Sequence, residues 1–363
     1  MKVLLIASLT AETGNFSTAS RLHKSLCENK NYDCWLRCIT CFKDGSLLRK
    51  FVSIHGIKCA IGIHAWRSGR LLLDCPVPFA IVFGGTDLNE HCKDEEKFEI
   101  ISKVVEESRY LVAFSKPMKR RALLMWPGIE DKIILQPQAT LVAPSGFKLH
   151  GYLKQTRNSL KQPAALKGCQ CIETIHDLTN SDLIVFMLVA GLRRVKDPLY
   201  LAESIAEWHK KDKRIHLIIV GPELDTEFAR QVKREVQRFP GVVVIQPLLS
   251  CDLHAAIQDS FAVVNSSTSE GMASAILESM NLGCPVLARN IPGNSAVIQH
   301  RETGLLYDTP EQFVELAREL KESPSLRTLL TKNAKTYLSK HHSTDKETKT
   351  YRCLVEKLVS LSN

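Results

Sequence analysis

The chain has 363 residues, 44% hydrophobic and 24% charged, with a formal net charge of +9. That length accommodates two domains of ordinary size, and no stretch is long and apolar enough for a membrane-spanning helix. The basic residues cluster only at KPMKRR (116–121) and HKKDKR (209–214), without interleaved aromatics, so nucleic acid is not an expected partner. Mild basicity suits a polyanionic small molecule such as a nucleotide diphosphate.

The first element, within MKVLLIASLTA, reads as a buried strand leading into a loop with Gly14 and a helix from about Phe16. Its one lysine and short apolar core also fit a secretory leader, but removal would take away a central strand. Further strand candidates in the first half are DCWLRCI, CAIGIH, PFAIVFG, YLVAFS and KIILQPQ. The stretch CWLRCITC, which begins in the second strand candidate and runs past it, spaces Cys34, Cys38 and Cys41 as C-x3-C-x2-C, like an iron–sulfur ligand set. Strand packing is the competing reading, because Cys34, Leu36 and Cys38 fall on one face and cysteine behaves as a small buried hydrophobe. The twelve cysteines are scattered through a chain too large to need a disulfide framework. A reducing, cytoplasmic setting is expected, with secretion as the alternative if the first apolar run acts as a signal.

Residues 144–182 are polar, lysine-rich and poor in periodicity, and read as a linker without regular structure. Strand candidates resume with LIVFMLVAG, IHLIIVG, VVVIQP, FAVVNSS and PVLARN. Apolar runs alternating with helical stretches predict parallel α/β architecture. The expected organisation is two Rossmann-like, doubly wound parallel-sheet domains facing across a cleft. Residues 1–143 form the first and 183–345 the second, 144–182 link them, and a terminal helix in 346–363 is placed to cross back to the first. No G-x-G-x-x-G fingerprint or Walker loop occurs, which removes the key feature of dinucleotide oxidoreductases and P-loop kinases.

Ligands of open parallel sheets sit beyond the carboxyl ends of the strands. Two loops there carry chemistry. In GLRRVKDP (191–198), Arg193, Arg194 and Lys196 follow a strand, with a helix expected to start near Asp197–Pro198. A forked guanidinium and a point-charged ammonium suit a diphosphate; a solvated basic turn explains the same residues. In NSSTSEGMASAILES, Gly271 allows close backbone approach, and a helix from about Met272 to the stop at Gly283 offers amides to an anion. Glu270 precedes that helix and Glu278 lies inside it. Their spacing is weak evidence alone, and gains weight from this setting.

The order GLRRVKDP, HLIIVGPE and VNSSTSEGMASAILESMNLGCPVLARNIPGNSAVIQHRETGLLY resembles the nucleotide-sugar domain of retaining GT-B glycosyltransferases of family 4. The resemblance covers the C-terminal half; in the N-terminal half it rests on Gly14, FGGTDLNE and the architecture. It implies that Arg193 and Lys196, with Arg194 as the competing arginine, neutralise a donor diphosphate. Glu270 would face the transferred sugar and Glu278 hold the ribose hydroxyls. The amides of Gly271, Met272, Ala273 and Ser274 would line sugar and phosphates, and Gly14 would approach the diphosphate. His64 corresponds to an acceptor-side histidine or to a core histidine, and Asp87 to an acceptor-side carboxylate or a helix cap. Gly84 stands where the family often has histidine. The implied activity is metal-independent transfer of a sugar, with retention, from a nucleotide-diphosphate sugar to an unidentified acceptor. No cofactor is implied, and the sequence has no Asp-x-Asp to hold a metal. The competing function is a nucleotide-sugar-binding protein without catalysis.

Overall fold

The computed structural model describes residues 1–11, 13–160 and 183–360. The chain divides into two compact units: Met1–Leu141 with Glu270–Ala273 and His341–Asn363, and Val142–Ser269 with Ser274–Lys340. Each unit contains one six-stranded parallel sheet.

The first sheet comprises β1 (Lys2–Ala7), β2 (Asp33–Cys38), β3 (Cys59–Ile63), β4 (Phe79–Val82), β5 (Tyr110–Ala113) and β6 (Ile133–Leu135), in the order β2-β1-β3-β4-β5-β6. Val3–Ala7 are completely buried, as expected of a parallel strand with neighbours on both sides. The helix Gly14–Cys27 begins two residues before its expected start, with Thr13 as N-cap, so Gly14 is its first residue rather than part of the loop. The cysteine trio does not converge. Cys34 is in the core and Cys41 exposed, and no group of three His, Cys, Asp or Glu suited to a metal occurs among the described residues. Burial pushes the Cys34 thiol up to about 12, which opposes thiolate ligation. The ten described cysteines are free thiols.

The second sheet comprises β7 (Ile184–Val189), β8 (Ile215–Val220), β9 (Val242–Ile245), β10 (Ala262–Asn265), β11 (Val286–Arg289) and β12 (Leu305–Tyr307), in the order β12-β11-β10-β7-β8-β9. The three-residue β12 is an addition to the expected strands, being too short to show as an apolar run. The helix after β7 starts at Ala202, not at Asp197–Pro198. Arg194–Lys196 instead make one short 3₁₀ turn, and Asp197 has φ +42°, outside right-handed helical space. The second glycine-bounded helix spans Ser274–Leu282, two residues shorter at its start than expected.

The segment expected to lack regular structure contains a helix, Leu149–Leu160. Leu149 and Leu153, one turn apart, are buried against Val185, Met187 and Ile218 in the second unit. Leu149 N–H donates to Asp259 Oδ2 at 3.2 Å. Residues 161–182, the rest of that expectation, lie outside the described residues.

The terminal helix Thr344–Ser360 buries Tyr351, Leu354, Val355 and Leu358 in the core of the first unit. Glu347 anchors it. Its carboxylate accepts from Arg21 Nε at 2.7 Å and Nη2 at 3.1 Å, and from the Ala139 N–H at 3.0 Å. The two side chains are 2% and 6% exposed. Removing one member of a buried pair leaves an uncompensated charge, which costs about 3–5 kcal/mol. Glu347→Ala should therefore lower the first unit's free energy of urea unfolding by about that amount; an unchanged value would show that the pair does not hold the helix.

Candidate functional site

Strand order reverses between β7 and β10 in the second sheet, and between β1 and β3 in the first. Such switch points leave a crevice at the carboxyl ends of the strands, because successive connections depart in opposite directions. The loops after β7 and β10 are those that carry Arg193–Lys196 and Ser266–Gly271.

These two loops are tied together. Ser266 Oγ donates to the Lys196 carbonyl at 3.0 Å, and Thr268 N–H donates to the Val195 carbonyl at 2.9 Å. Arg289 Nη1 pairs with Asp197 Oδ2 at 3.0 Å, and its guanidinium lies 4.0 Å from the Tyr200 ring centre. From below, Tyr307 donates its hydroxyl proton to the Asn265 carbonyl at 2.8 Å. The basic turn is thus fixed by its neighbours. Arg193 is half-buried, and its buried Nε has no hydrogen-bond partner among the described residues. Arg194 is exposed, with its guanidinium 5.3 Å from the Phe228 ring centre. Lys196 is half-buried. A guanidinium donor held out of water and left unpaired is the more costly arrangement, and is the one an anion would relieve.

Glu278 lies on the helix Ser274–Leu282, its side chain 16% exposed. It has a neighbour the sequence did not suggest: His254 Nε2 is 3.8 Å from Glu278 Oε2. His254 Nδ1 accepts from the Ala143 N–H at 3.2 Å, which assigns its proton to Nε2, facing Glu278. Glu270 and Ser274 are half-buried. Gly271 and Ala273 are buried, and Met272 packs against the core of the first unit.

In the first unit, β3 and β4 run in register through Ile63 and Val82, so His64 and Gly84 leave the sheet at the same end. His64 has φ +82°, and its N–H donates to the Val82 carbonyl at 2.8 Å. Its ring crosses over Gly84, where a Cβ would meet His64 Cδ2 at 2.5 Å. Asp87 is not a loop residue but belongs to the short helix Gly85–Asn89 and is fully buried. It accepts from the N–H groups of Ala65 (2.7 Å), Trp66 (3.0 Å) and Gly84 (2.8 Å). His64 Nδ1 lies 2.5 Å from Asp87 Oδ1, a charge contact without aligned hydrogen-bond geometry. Burial works to raise the Asp87 pKa, yet the charge and contact of His64 and the amides of Trp66 and Gly84 outweigh it, so the carboxyl is held below its ordinary value. His64 Nε2 contacts Thr86 Oγ1. His64 and Asp87 are 3% and 0% exposed, whereas Thr86 is half-buried.

Of the residues expected to act, Arg193 and Lys196 share one tied turn and Glu278 lies in the same unit. His64 and Asp87 form a separate cluster in the first unit, and Gly14 is exposed at the start of its helix. Sequence reasoning missed Thr86 and His254. Thr86 adjoins Asp87 in FGGTD, and that adjacency was the available signal; nothing local marked His254.

The family described as glycosyl transferases group 1 matches residues 174–337. Glycosyltransferase 1 domain-containing protein 1 of Xenopus tropicalis is 40% identical over 98% of this chain and 97% of its own length. Among solved structures, sucrose-phosphate synthase of Thermosynechococcus elongatus superposes with a TM-score of 0.76 at 15% identity, covering 99% of this chain and 100% of that one. Anabaena HepE, in complex with UDP and glucose, gives 0.73 at 12% identity, covering 98% and 100%. Two six-stranded parallel sheets with flanking helices match these GT-B structures.

Two outcomes follow from the His64 cluster. Gly84→Ala should force the His64 ring off its seat and cost about 1–3 kcal/mol in urea unfolding; wild-type stability would place the ring elsewhere. A depressed carboxyl pKa contributes stability that is present above the unfolded value near ~3.9 and is lost as pH falls through the folded value. Asp87→Asn should therefore cost roughly 3 kcal/mol at pH 7, and its gap from wild type should narrow below about pH 4 in a pH series of urea melts.

Proposed function

Because the chain belongs to the glycosyl transferases group 1 family, we propose that it moves a sugar from a nucleotide-diphosphate sugar to an acceptor, with retention of anomeric configuration and without a metal. The observation that carries this reading is the tied basic turn at the β7/β10 switch point, with the buried Arg193 Nε unpaired among the described residues.

Negative charge grows on the diphosphate as the glycosidic bond breaks. Arg193 and Lys196 are the cations that meet it, and preorganised charge of this kind supplies much of the rate acceleration in many transfer reactions. The partner of Arg194 is Phe228, which supports Arg193 as the diphosphate-binding arginine. Amides of Gly271–Ser274, at the positive end of the helix that follows, add donors to the same charge. Glu278 takes the ribose hydroxyls, with His254 Nε2 3.8 Å from its carboxylate. Glu270 faces the transferred sugar. Attack by the acceptor on the departing donor's own face gives retention with no covalent intermediate on the protein.

UDP-sugars are the first donors to test, since the HepE structure contains UDP and glucose.

A thermal-shift screen with UDP-, GDP- and ADP-sugars should show stabilisation by one base, because a ligand that binds only the folded state raises its apparent stability. In calorimetric titrations with that donor, Arg193→Ala and Lys196→Ala should each weaken binding about tenfold to a hundredfold, and Glu278→Ala about tenfold. Unchanged affinity in all three would sink the assignment. Slow hydrolysis of the bound donor separates a transferase from a protein that only binds.

A further inference from the structure

The cysteines of CWLRCITC part company in the structure. Cys34 is buried within β2, whereas Cys38 and Cys41, spaced C-x2-C, lie at the carboxyl end of that strand. The strand is the outermost of the first sheet and pairs on one side, with β1. Cys38 is its last residue and the N-cap of a single 3₁₀ turn, Ile39–Cys41. Cys38 is half-buried, and Thr40 and Cys41 are exposed.

The turn sets the spacing of the two cysteines. A 3₁₀ helix has three residues per turn and rises ~2 Å per residue, so residues three apart stack with Cα atoms about 6 Å apart. A disulfide accommodates Cα separations of roughly 4.4–6.8 Å. The backbone therefore holds Cys38 and Cys41 at bonding range without rearranging the strand. Cys34 lies four strand residues back from Cys38, a separation of about 13 Å.

The two sulfurs are not equivalent. Thr40 Oγ1 donates to Cys38 Sγ at 3.1 Å. Burial works to raise the Cys38 pKa, yet that hydroxyl and the backbone amides of Thr40, Leu9 and Ile39 outweigh it, so the thiol is held below its ordinary value. In the core of the same unit the direction is opposite, and burial pushes Cys34 and Cys59 up to about 12. Since the thiolate is the reactive form, Cys38 is the nucleophile of this group.

We propose that Cys38 and Cys41 form a thiol–disulfide exchange pair, with Cys38 as the attacking sulfur, Cys41 as the resolving one and a small-molecule disulfide as co-reactant. The Cys38 thiolate attacks one sulfur of that disulfide and breaks its S–S bond. A mixed disulfide forms on Cys38, and the displaced thiolate takes a proton from water. Cys41 then gives its proton to water and attacks Cys38 Sγ. The Cys38–Cys41 bond closes, and the second small thiolate leaves and is protonated in turn. The chain is oxidised by two electrons, and the small disulfide is reduced to two thiols. The pair is independent of the donor assignment above, which uses neither cysteine.

The test equilibrates the full chain in buffers of reduced and oxidised glutathione at graded ratios, quenches with acid, caps the remaining thiols with N-ethylmaleimide in denaturant and digests with trypsin. Cleavage after Arg37 and Lys43 places both cysteines in one peptide, 38–43. As glutathione disulfide rises, that peptide should pass from doubly capped to uncapped and lighter by two hydrogens, while the peptides holding Cys34 and Cys59 stay capped. Cys41→Ser should stop at the mixed disulfide, with one glutathione on Cys38. Cys38→Ser should leave Cys41 capped at the ratio that oxidises half of the wild type. A 38–43 peptide that stays doubly capped in glutathione disulfide alone overturns the proposal. So does a disulfide from either cysteine to a third, or glutathione that settles on Cys41 of Cys38→Ser and not on Cys38 of Cys41→Ser.

Discussion

Two hydrogen bonds at the β7/β10 switch point hold the basic turn of the second unit in place: Ser266 Oγ to the Lys196 carbonyl, and Thr268 N–H to the Val195 carbonyl. A parallel sheet supplies a crevice wherever its strand order reverses, but supplies no reason for the flanking loops to hold still. Here the loop after β10 accounts for two carbonyls of the basic turn. The turn in turn presents Arg193 and Lys196 without a capped helix beneath them, since regular helix begins only at Ala202. Rigidity that helix packing would otherwise provide comes from loop-to-loop pairing and from the Arg289–Asp197 contact.

The first unit handles its polar burden differently. Asp87 is completely buried, an arrangement that is stable only when the carboxylate is paired and hydrogen-bonded. Three backbone donors and the His64 ring supply that compensation, and Gly84 makes room for the ring. The same unit buries the Arg21–Glu347 pair, by which the terminal helix is joined to the helix after β1. Buried charge is satisfied locally in both places, so neither cluster depends on the surface electrostatics of a chain with net charge +9.

Most strands were legible because a parallel strand buried on both faces leaves a nearly continuous apolar run, as in β1, β3 and β7. β12, with three residues, is too short to stand out. The helix Leu149–Leu160 was hidden by its lysines and by anchors as sparse as Leu149 and Leu153. Its burial depends on Val185 and Ile218, which no local window contains. The start of the helix after β7 is displaced because proline at 198 is an ordinary start signal, whereas the φ of +42° at Asp197 leaves no mark in the residue order. Motif order singled out both arginines of the basic turn, and only the distant Phe228 separates them. The pairing of His64 with Thr86 joins residues 22 positions apart, so it became visible only through the register of β3 against β4.

Hydrogen–deuterium exchange of the wild-type chain, with and without saturating UDP, tests the central claim most directly, because amides that contact a bound anion slow their exchange. Slowed exchange is expected in the turn 192–197 and in 266–278, with little change in the terminal helix Thr344–Ser360. Slowed exchange confined to other segments, while these two loops exchange as in the free protein, would contradict a diphosphate site at the basic turn.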